Sequence, residues 1–467
     1  MEDSCAERGY MGEMTQDEAR RQAHYEKMTQ TPVPKLVTTL AIPTIISMMV
    51  SAIYNMADTF FVSQLGTSAV GAVGIVFSLM AIIQAVGFMI GMGSGSQLSR
   101  LLGQKKNQEA SEVASTGFFM AFIFGLVLTV FGLIFIDPLM RLLGATPTIL
   151  PYARDYARYI LIGAAIMCAS FVLNNILRGE GKAALSMIGI ALGGVINIIL
   201  DPVFIFGFDL GISGAAMATV LSQCISFFIL LSFFLRGKSI SKLSIRNLSR
   251  HPVIYGRILK TGLPSLCRQG LASIATVALN VNAAVYGDAA VAAMSIVNRI
   301  FMLLLSVMIG FGQGFQPVVG YNYGAKKYDR VRSAIRFSLI FGTVVLGILS
   351  AGGFIFAPWL IRLFRADDAQ VVAIGTFACR AQCMVLLLAP LNVICNMLFQ
   401  VIGKSGQATF VSAARQGIFF LPLIFILPSV WGLAGVCLTQ PVSDIFSFLI
   451  CIPMMYRFYK ELRKKEG

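Results

Sequence analysis

Long apolar runs separated by short polar breaks recur along the whole chain, and no other feature restricts its fold as strongly. Of the 467 residues, 57% are hydrophobic and only 13% are charged, and the mean hydropathy is +0.77. A helix needs about 20 mostly apolar residues to cross the hydrocarbon core of a bilayer, and each run is that long. The pattern therefore predicts an all-α integral membrane protein.

The polar breaks divide the chain into twelve predicted transmembrane helices. The first six span residues 35–62, 69–99, 111–136, 151–177, 183–207 and 212–235. The second six span residues 257–286, 289–319, 331–356, 370–400, 407–429 and 432–456. The predicted organisation is an N-terminal tail (1–34), a six-helix lobe (35–235), a basic linker (236–256), a second six-helix lobe (257–456) and a basic C-terminal tail (457–467).

The two lobes are copies of one unit, related by a shift of 221 residues. This shift carries Pro43 onto Pro264. It also relates five pairs of glycines: Gly66 and Gly287, Gly91 and Gly312, Gly93 and Gly314, Gly103 and Gly324, Gly214 and Gly435. Because six is even, both copies enter the membrane from the same side, so the repeats are parallel. A cleft between two such bundles allows alternating access.

The basic residues are concentrated in alternate loops. Eighteen Lys and Arg residues lie in the even-numbered loops or at the adjoining helix ends, against three to five for the odd-numbered loops. The positive-inside rule therefore places the even loops and both termini in the cytoplasm. The net charge of +15 meets anionic lipid at the helix ends, so the bilayer is the expected partner and nucleic acid is not. The first 34 residues lack the apolar core of a signal peptide.

Carboxylates inside the predicted spans are rare. Three lie deep within a span: Asp58, Asp201 and Asp444. Asn55 and Asp58 share one helical face, as do Asn197 and Asp201, and Thr219 reaches a similar depth. Pro202 frees a carbonyl beside Asp201 and predicts a bend there. Such oxygen groups suit a proton or a hard cation.

The alternative for these acids is hydrogen bonding that only supports the helix bundle. At the shift of 221, Asp58 corresponds to Leu279 and Asp201 to Pro422. A purely structural role would favour retaining the acids in both lobes. The asymmetry therefore favours ion coupling in the first lobe.

The second lobe carries buried cations instead. Arg268, Arg299 and Arg380 lie within predicted helices, as does Arg415, and Asp444 is the deep carboxylate nearby. We expect a salt bridge from Asp444 to one arginine. A remaining arginine in the cleft would favour a substrate with an anionic or hydrogen-bond-accepting group.

Sequence patterns for enzymes are missing. Gly403-Lys404-Ser405 matches the end of a phosphate-binding loop, but the first glycine of that motif would fall at position 398, which is leucine. Both histidines, His24 and His251, lie outside the spans, which argues against a Ser-His protease in the membrane. The chain is therefore not expected to be an enzyme or to hold a cofactor.

Three segments resemble the multidrug and toxic compound extrusion (MATE) transporters. They are Asn55-Met-Ala-Asp58-Thr-Phe-Phe-Val, Asn174-Asn-Ile-Leu-Arg-Gly-Glu-Gly-Lys182 and Gly320-Tyr-Asn-Tyr-Gly-Ala-Lys-Lys327. The resemblance covers residues 35–456. It implies a V-shaped pair of six-helix lobes that exports small amphipathic compounds against entry of H⁺ or Na⁺, as a monomer in a bacterial inner membrane.

The same resemblance assigns the ion site to the first lobe. The matching residues are Asp58, Asn174, Asn197, Asp201 and Thr219. Sodium would be held by Asp58, Asn197, Asp201 and Thr219. In other members the essential carboxylates lie in the seventh and tenth helices, where this chain has Arg268 and Arg380.

Two other functions remain open from the sequence. A flippase for lipid-linked precursors has a related fold and a cationic cavity, which Arg268, Arg299 and Arg380 would suit. A receptor or channel without ion coupling is the third class. Uphill transport driven by an imposed ion gradient would separate it from both transporters.

Overall fold

The computed structural model describes residues 16–65, 67–364 and 368–466, and in this part of the chain the regular elements are all helical. The first half contains α1 (Gln16–Gln30), α2 (Val33–Ser63), α3 (Thr67–Gly103), α4 (Asn107–Ile134), α5 (Ile136–Leu142), α6 (Leu150–Gly179), α7 (Ala183–Pro202) and α8 (Gly211–Leu235). The second half contains α9 (Pro252–Ala284), α10 (Asp288–Gly324), α11 (Tyr328–Ile355), α12 (Ala357–Phe364), α13 (Ala369–Leu386), α14 (Ala389–Val401), α15 (Ser405–Ala413), α16 (Phe420–Trp431) and α17 (Leu433–Glu466).

These helices form the twelve predicted spans. Among the described residues, eleven segments are long and apolar enough to cross a membrane. The twelfth is α9, in which Arg257, Lys260 and Arg268 lower the hydropathy. The tenth span is interrupted between α13 and α14, because Pro390 follows at the start of α14 and lacks a backbone N–H. The prediction of a twelve-helix all-α membrane protein is confirmed.

The bend predicted at Pro202 is a π-helical turn. Residues Val203–Gly207 form this turn directly after α7 and complete the fifth span. Proline removes one hydrogen bond from the helical ladder, and a wider turn accommodates the gap. A second π turn, Ala414–Phe419, joins α15 to α16 in the eleventh span.

Parts of the predicted tails and of the predicted linker are helical. Residues 1–15, Gly66, residues 365–367 and Gly467 lie outside the described part of the chain. Of the predicted tail 1–34, residues 16–30 form α1, and α2 begins at Val33. Helix α9 begins at Pro252, inside the predicted linker, and α17 continues without a break to Glu466.

The basic loops mark one side of the bundle, which we call the basic face: residues 103–107, 179–183, 235–252, 324–328 and 401–405. Helix α1 lies across it and contacts both lobes. The His24 Nε2 donates to the carbonyl of Glu180 at 2.6 Å in the first lobe. From the second lobe, Lys327 Nζ donates to the carbonyl of Thr29 at 3.1 Å.

The lobes meet through α2 against α10 and α3 against α9. Glycines permit this close approach. A Cβ on Gly103 would collide with the carbonyl of Tyr321, and a Cβ on Gly324 would collide with the carbonyl of Arg100. Position 100 corresponds to 321 and position 103 to 324 under the shift of 221, so the two contacts are reciprocal. The internal repeat is thus also a structural pseudo-symmetry.

The close contacts between the lobes all lie in the halves of the helices that are nearest the basic face. Gly262 of α9 packs on the carbonyl of Met89 in α3, and Gly310 of α10 packs on Thr44 and Ile45 of α2. The Thr44 hydroxyl donates to the carbonyl of Gly310 at 2.6 Å. Because the lobes are joined at this side, the cleft between them widens toward the opposite face as a V.

Candidate ion site and substrate cavity

Three of the predicted ion-site residues converge between α7 and α8. Asp201 is fully buried one residue before the helix-ending Pro202. Asn197 Nδ2 lies 3.2 Å from Asp201 Oδ1 and 3.5 Å from Thr219 Oγ1. The spacing of four residues places the amide one helical turn from the carboxylate. The amide therefore links the acid of α7 to the hydroxyl of α8.

Asp58 of α2 completes this group, which we call the acid cluster: Asp58, Asn197, Asp201 and Thr219. Asp58 is 5% exposed, and its carboxylate interacts electrostatically with Asp201. Gly194 permits α2 to approach α7, because a Cβ there would contact the side chains of Val50 and Tyr54.

Three buried oxygen atoms of the acid cluster have no hydrogen-bond partner in the described protein. They are Asp58 Oδ1, Asn197 Oδ1 and Asp201 Oδ2. Buried polar atoms are nearly always paired, so three unpaired acceptors in one site need a proton donor or a cation. Carboxylate, amide and hydroxyl oxygens are the ligands of a hard cation such as Na⁺, and either carboxylate could take a proton.

Tyr156 is a site residue that the sequence reasoning missed. It lies on α6, is fully buried, and interacts electrostatically with Asp58 and Asp201. Its hydroxyl also interacts with the side chain of Thr219, a member of the acid cluster. In the sequence it stands between Arg154 and Arg158 at the start of a span, where a tyrosine resembles an ordinary interface anchor.

The other two predicted residues of the first lobe have different surroundings. Asn174 donates to the Ser186 hydroxyl at 2.7 Å and to the Ser186 carbonyl at 3.2 Å, so it ties α6 to α7. The structure does not bring it to the acid cluster. Asn55 is half-buried one turn before Asp58.

The salt bridge predicted for Asp444 is confirmed, and its partner is Arg415. Arg415 Nε donates to Asp444 Oδ1 at 2.6 Å, and Gln440 Nε2 donates to the same oxygen at 3.0 Å. Ser443 of α17 donates to the carbonyl of Arg415 at 2.5 Å, which holds the π turn against α17.

A cavity of about 200 Å³ lies inside the second lobe, and we call it the arginine cavity. Its polar lining comprises Arg268, Gln269, Thr276, Asn298, Asn392, Asn396, Ser412, Arg415, Gln416, Gln440 and Ser447. Phe301, Met302, Leu305 and Phe420 are among the apolar residues that complete the wall.

Of the three arginines predicted for a second-lobe cavity, Arg268 alone lines this one. Arg299 is exposed on α10 and is absent from the cavity wall. Arg380 donates to the carbonyl of Phe354 at 3.3 Å and stacks on its ring. Counting residues along a helix gives the depth of a residue but not the neighbouring helix that its side chain faces. The three arginines have different surroundings for this reason.

Arg178 is a further buried cation that the loop pattern concealed. It is 5% exposed and donates to Gln313 Oε1 of the second lobe and, at 2.8 Å, to Asn175 Oδ1. In the sequence it ends the segment Asn174-Asn-Ile-Leu-Arg at the end of α6, where it resembles a loop cation. It contacts the second lobe directly.

Comparison with known families fits this architecture. The profile of the MatE family matches residues 43–203 and 264–426. The two matches begin at Pro43 and Pro264, the pair that the internal repeat aligns. The chain belongs to the MatE family. As a MatE protein it is a member of a transporter family and a multipass membrane protein.

Curated relatives of this MatE chain include multidrug export proteins of staphylococci. The multidrug export protein MepA of Staphylococcus haemolyticus (strain JCSC1435) is 27% identical over 429 residues, which is 92% of this chain and 94% of the relative. MepA of Staphylococcus aureus (strain MRSA252) is 27% identical over 434 residues, which is 93% of this chain and 95% of the relative.

Solved MATE structures share the fold. A MATE crystallised in complex with MaL6 superposes with a TM-score of 0.90 at 28% identity, covering 94% of this chain and 99% of that chain. An outward-facing multidrug resistance MATE transporter of the MOP superfamily superposes with a TM-score of 0.89 at 29% identity, covering 94% of this chain and 98% of that chain. These matches confirm the two-lobe, V-shaped architecture.

Proposed function

We propose that this MatE protein is a secondary active exporter of drugs and metabolites. Small amphipathic compounds leave the cell in exchange for H⁺ or Na⁺, which enters at the acid cluster. The protein is not an enzyme and uses no cofactor other than the coupling ion. The MepA relatives, which are named multidrug export proteins, support export of several compounds.

The observation that carries the coupling site is the set of unpaired oxygens at Asp58, Asn197 and Asp201. Two carboxylates in a water-poor interior are costly when both are charged. A proton or Na⁺ removes part of that cost, so ion binding changes the stability of this packing. A packing change between α2, α7 and α8 can then be coupled to the opening of the cleft.

In the proposed orientation the basic face is cytoplasmic, as are both termini, and the membrane is a bacterial inner membrane. The close contacts of α2 with α10 and of α3 with α9 then seal the cytoplasmic side. Export requires these contacts to open and close again, which is alternating access. The protein acts as a monomer in the lipid bilayer and needs no nucleic-acid partner.

The test is transport in proteoliposomes under separate pH and Na⁺ gradients, with ethidium as the fluorescent cation. We expect transport under at least one gradient, and its loss in Asp58→Asn and Asp201→Asn. Asp137→Asn is the matched control, because Asp137 is exposed and pairs with Arg154 at 2.5 Å outside the acid cluster. Unchanged gradient dependence in both acid-cluster variants would refute the coupling site.

A lipid-linked precursor flippase is the second candidate, and the arginine cavity is the observation that favours it. Folded protein that moved no dye under either gradient, but moved a lipid-linked pyrophosphate across the bilayer, would establish that function instead.

A further inference from the structure

The charge balance of the arginine cavity distinguishes its two arginines. Arg415 is paired with Asp444 at 2.6 Å, so it adds little net charge. Among the described residues, Arg268 forms no salt bridge, and no carboxylate lines the cavity. Arg268 therefore gives the cavity a net positive charge at the middle of α9, 16 residues from either end.

The hydrogen bonds of Arg268 leave most of its donors open to the cavity. A guanidinium carries five N–H donors. Among the described residues, Arg268 makes one long hydrogen bond of 3.4 Å, from Nη1 to Asn396 Oδ1. Asn396 is itself held in place, since its Nδ2 donates to the Ala408 carbonyl at 2.9 Å and to the Ser412 hydroxyl at 2.5 Å.

A second guanidinium increases the positive potential. Arg178 of the first lobe interacts electrostatically with Arg268. Its own contacts are the neutral amides of Gln313 and Asn175. An uncompensated cation inside a membrane is costly, and two neighbouring ones increase that cost. An anion beside Arg268 would reduce it.

The rest of the wall defines the shape of the occupant. Phe301, Met302, Leu305 and Phe420 provide the apolar part of the wall, and the Arg415 guanidinium lies over the Phe301 ring, 5.9 Å from its centroid. The buried Oδ1 of Asn392 has no partner in the described protein, so it can accept a hydrogen bond from a ligand. Ligand sites combine an apolar wall with a few placed polar groups in this way.

We propose that the arginine cavity binds an amphipathic organic anion, with its carboxylate or phosphate on Arg268 and its apolar part against Phe301 and Leu305. The inference rests on the proposed export function and names a substrate class for it. The anion is either a free organic acid or the headgroup of an anionic lipid. Both sources share the chemistry that Arg268 recognises.

Equilibrium binding in nanodiscs tests this without requiring transport. Fluorescein and rhodamine 6G share a xanthene core but carry opposite charges, so they form a matched pair of probes. In phosphatidylcholine nanodiscs we expect wild-type protein to bind fluorescein, and Arg268→Gln to weaken this binding about tenfold, as the loss of a charge-assisted hydrogen bond requires. Rhodamine 6G binding should not weaken.

Two further variants control for folding and for charge. Arg268→Lys retains the positive charge and should restore much of the fluorescein binding. Arg299→Gln removes an exposed arginine of the same lobe and should bind fluorescein as the wild type does. Equal fluorescein binding by wild type and Arg268→Gln would overturn the proposal, as would an equal loss of rhodamine 6G binding.

The source of the anion is decided by adding phosphatidylglycerol to the nanodiscs. If the lipid competes with fluorescein in wild type but not in Arg268→Gln, the headgroup is the ligand; without competition, it is a free organic acid. Asp58→Asn separates this inference from the coupling proposal. It should bind fluorescein normally even where it abolishes gradient-driven transport.

Discussion

The Nε of Arg415 lies 2.6 Å from Oδ1 of Asp444, so the π turn of the eleventh span is ion-paired to the twelfth span. Asp444→Asn should lower the unfolding free energy by about 3 kcal/mol, because Arg415 would remain partly buried without its carboxylate. The measurement is the apparent melting temperature in detergent, which should fall by several degrees. Arg415→Gln combined with Asp444→Asn should recover part of this loss. A double variant less stable than Asp444→Asn would contradict the pairing.

The two buried asparagines of the first lobe should differ in their effect on coupling. Asn197→Ala removes the amide that contacts Asp201 and Thr219, and we expect gradient-driven ethidium transport to fall about tenfold. Asn174→Ala removes bonds to Ser186 only, so it should reduce thermal stability and leave the ion dependence of transport unchanged. The ion dependence of the initial rate checks both. An altered ion dependence in Asn174→Ala would place that residue in the ion site.

Gly262 is a sensitive point in the contact between the lobes. A Cβ there would collide with the carbonyl of Met89, so Gly262→Ala should open the basic face. Gly270→Ala on the same helix is the matched control, since a Cβ there meets open space. Pulsed electron resonance between spin labels at Gln104 and Lys326 should show a longer distance in Gly262→Ala only. Identical distance distributions in the two variants would show that the glycine contact does not set the closure.

Docking of α1 on the basic face should depend on pH. Burial lowers the pKa of His24 to about 4, with smaller contributions from the positive charges of Lys182, Lys27 and Arg20, while the bond to the Glu180 carbonyl opposes the shift. The Tyr321 ring also faces the imidazole. Because the folded pKa is below the unfolded value of 6.5, docking is fully stable above pH 6.5 and weakens as the pH falls toward 4.

Hydrogen exchange of the α1 amides measures this docking. After correction for intrinsic rates, protection should be lower at pH 5 than at pH 7.5. His24→Gln can still donate to the Glu180 carbonyl but does not titrate, so its protection should be independent of pH over this range. The prediction fails if wild type and His24→Gln show the same pH dependence.

The sequence is sufficient to establish the fold class, because each span must satisfy its own backbone hydrogen bonds in the bilayer and its length is visible as an apolar run. It also determined the repeat, since glycines such as Gly103 and Gly324 occupy positions where a Cβ would collide with the opposite lobe. The rarity of buried carboxylates indicated Asp58 and Asp201, which the structure places in one cluster. Each of these properties is visible within a single helix or in the constant shift between the two copies.

Which faces of the helices meet is a property of the folded protein that the sequence did not reveal. Depth along a helix does not give its rotation, so the sequence could not separate Arg268, which lines the cavity, from Arg299, which is exposed. For the same reason it could not place Tyr156 beside the acids or Asn174 beside Ser186. The sequence also did not show that Arg415, the partner of Asp444, lies in a π turn. Rotation is set by packing between helices, which no single span encodes.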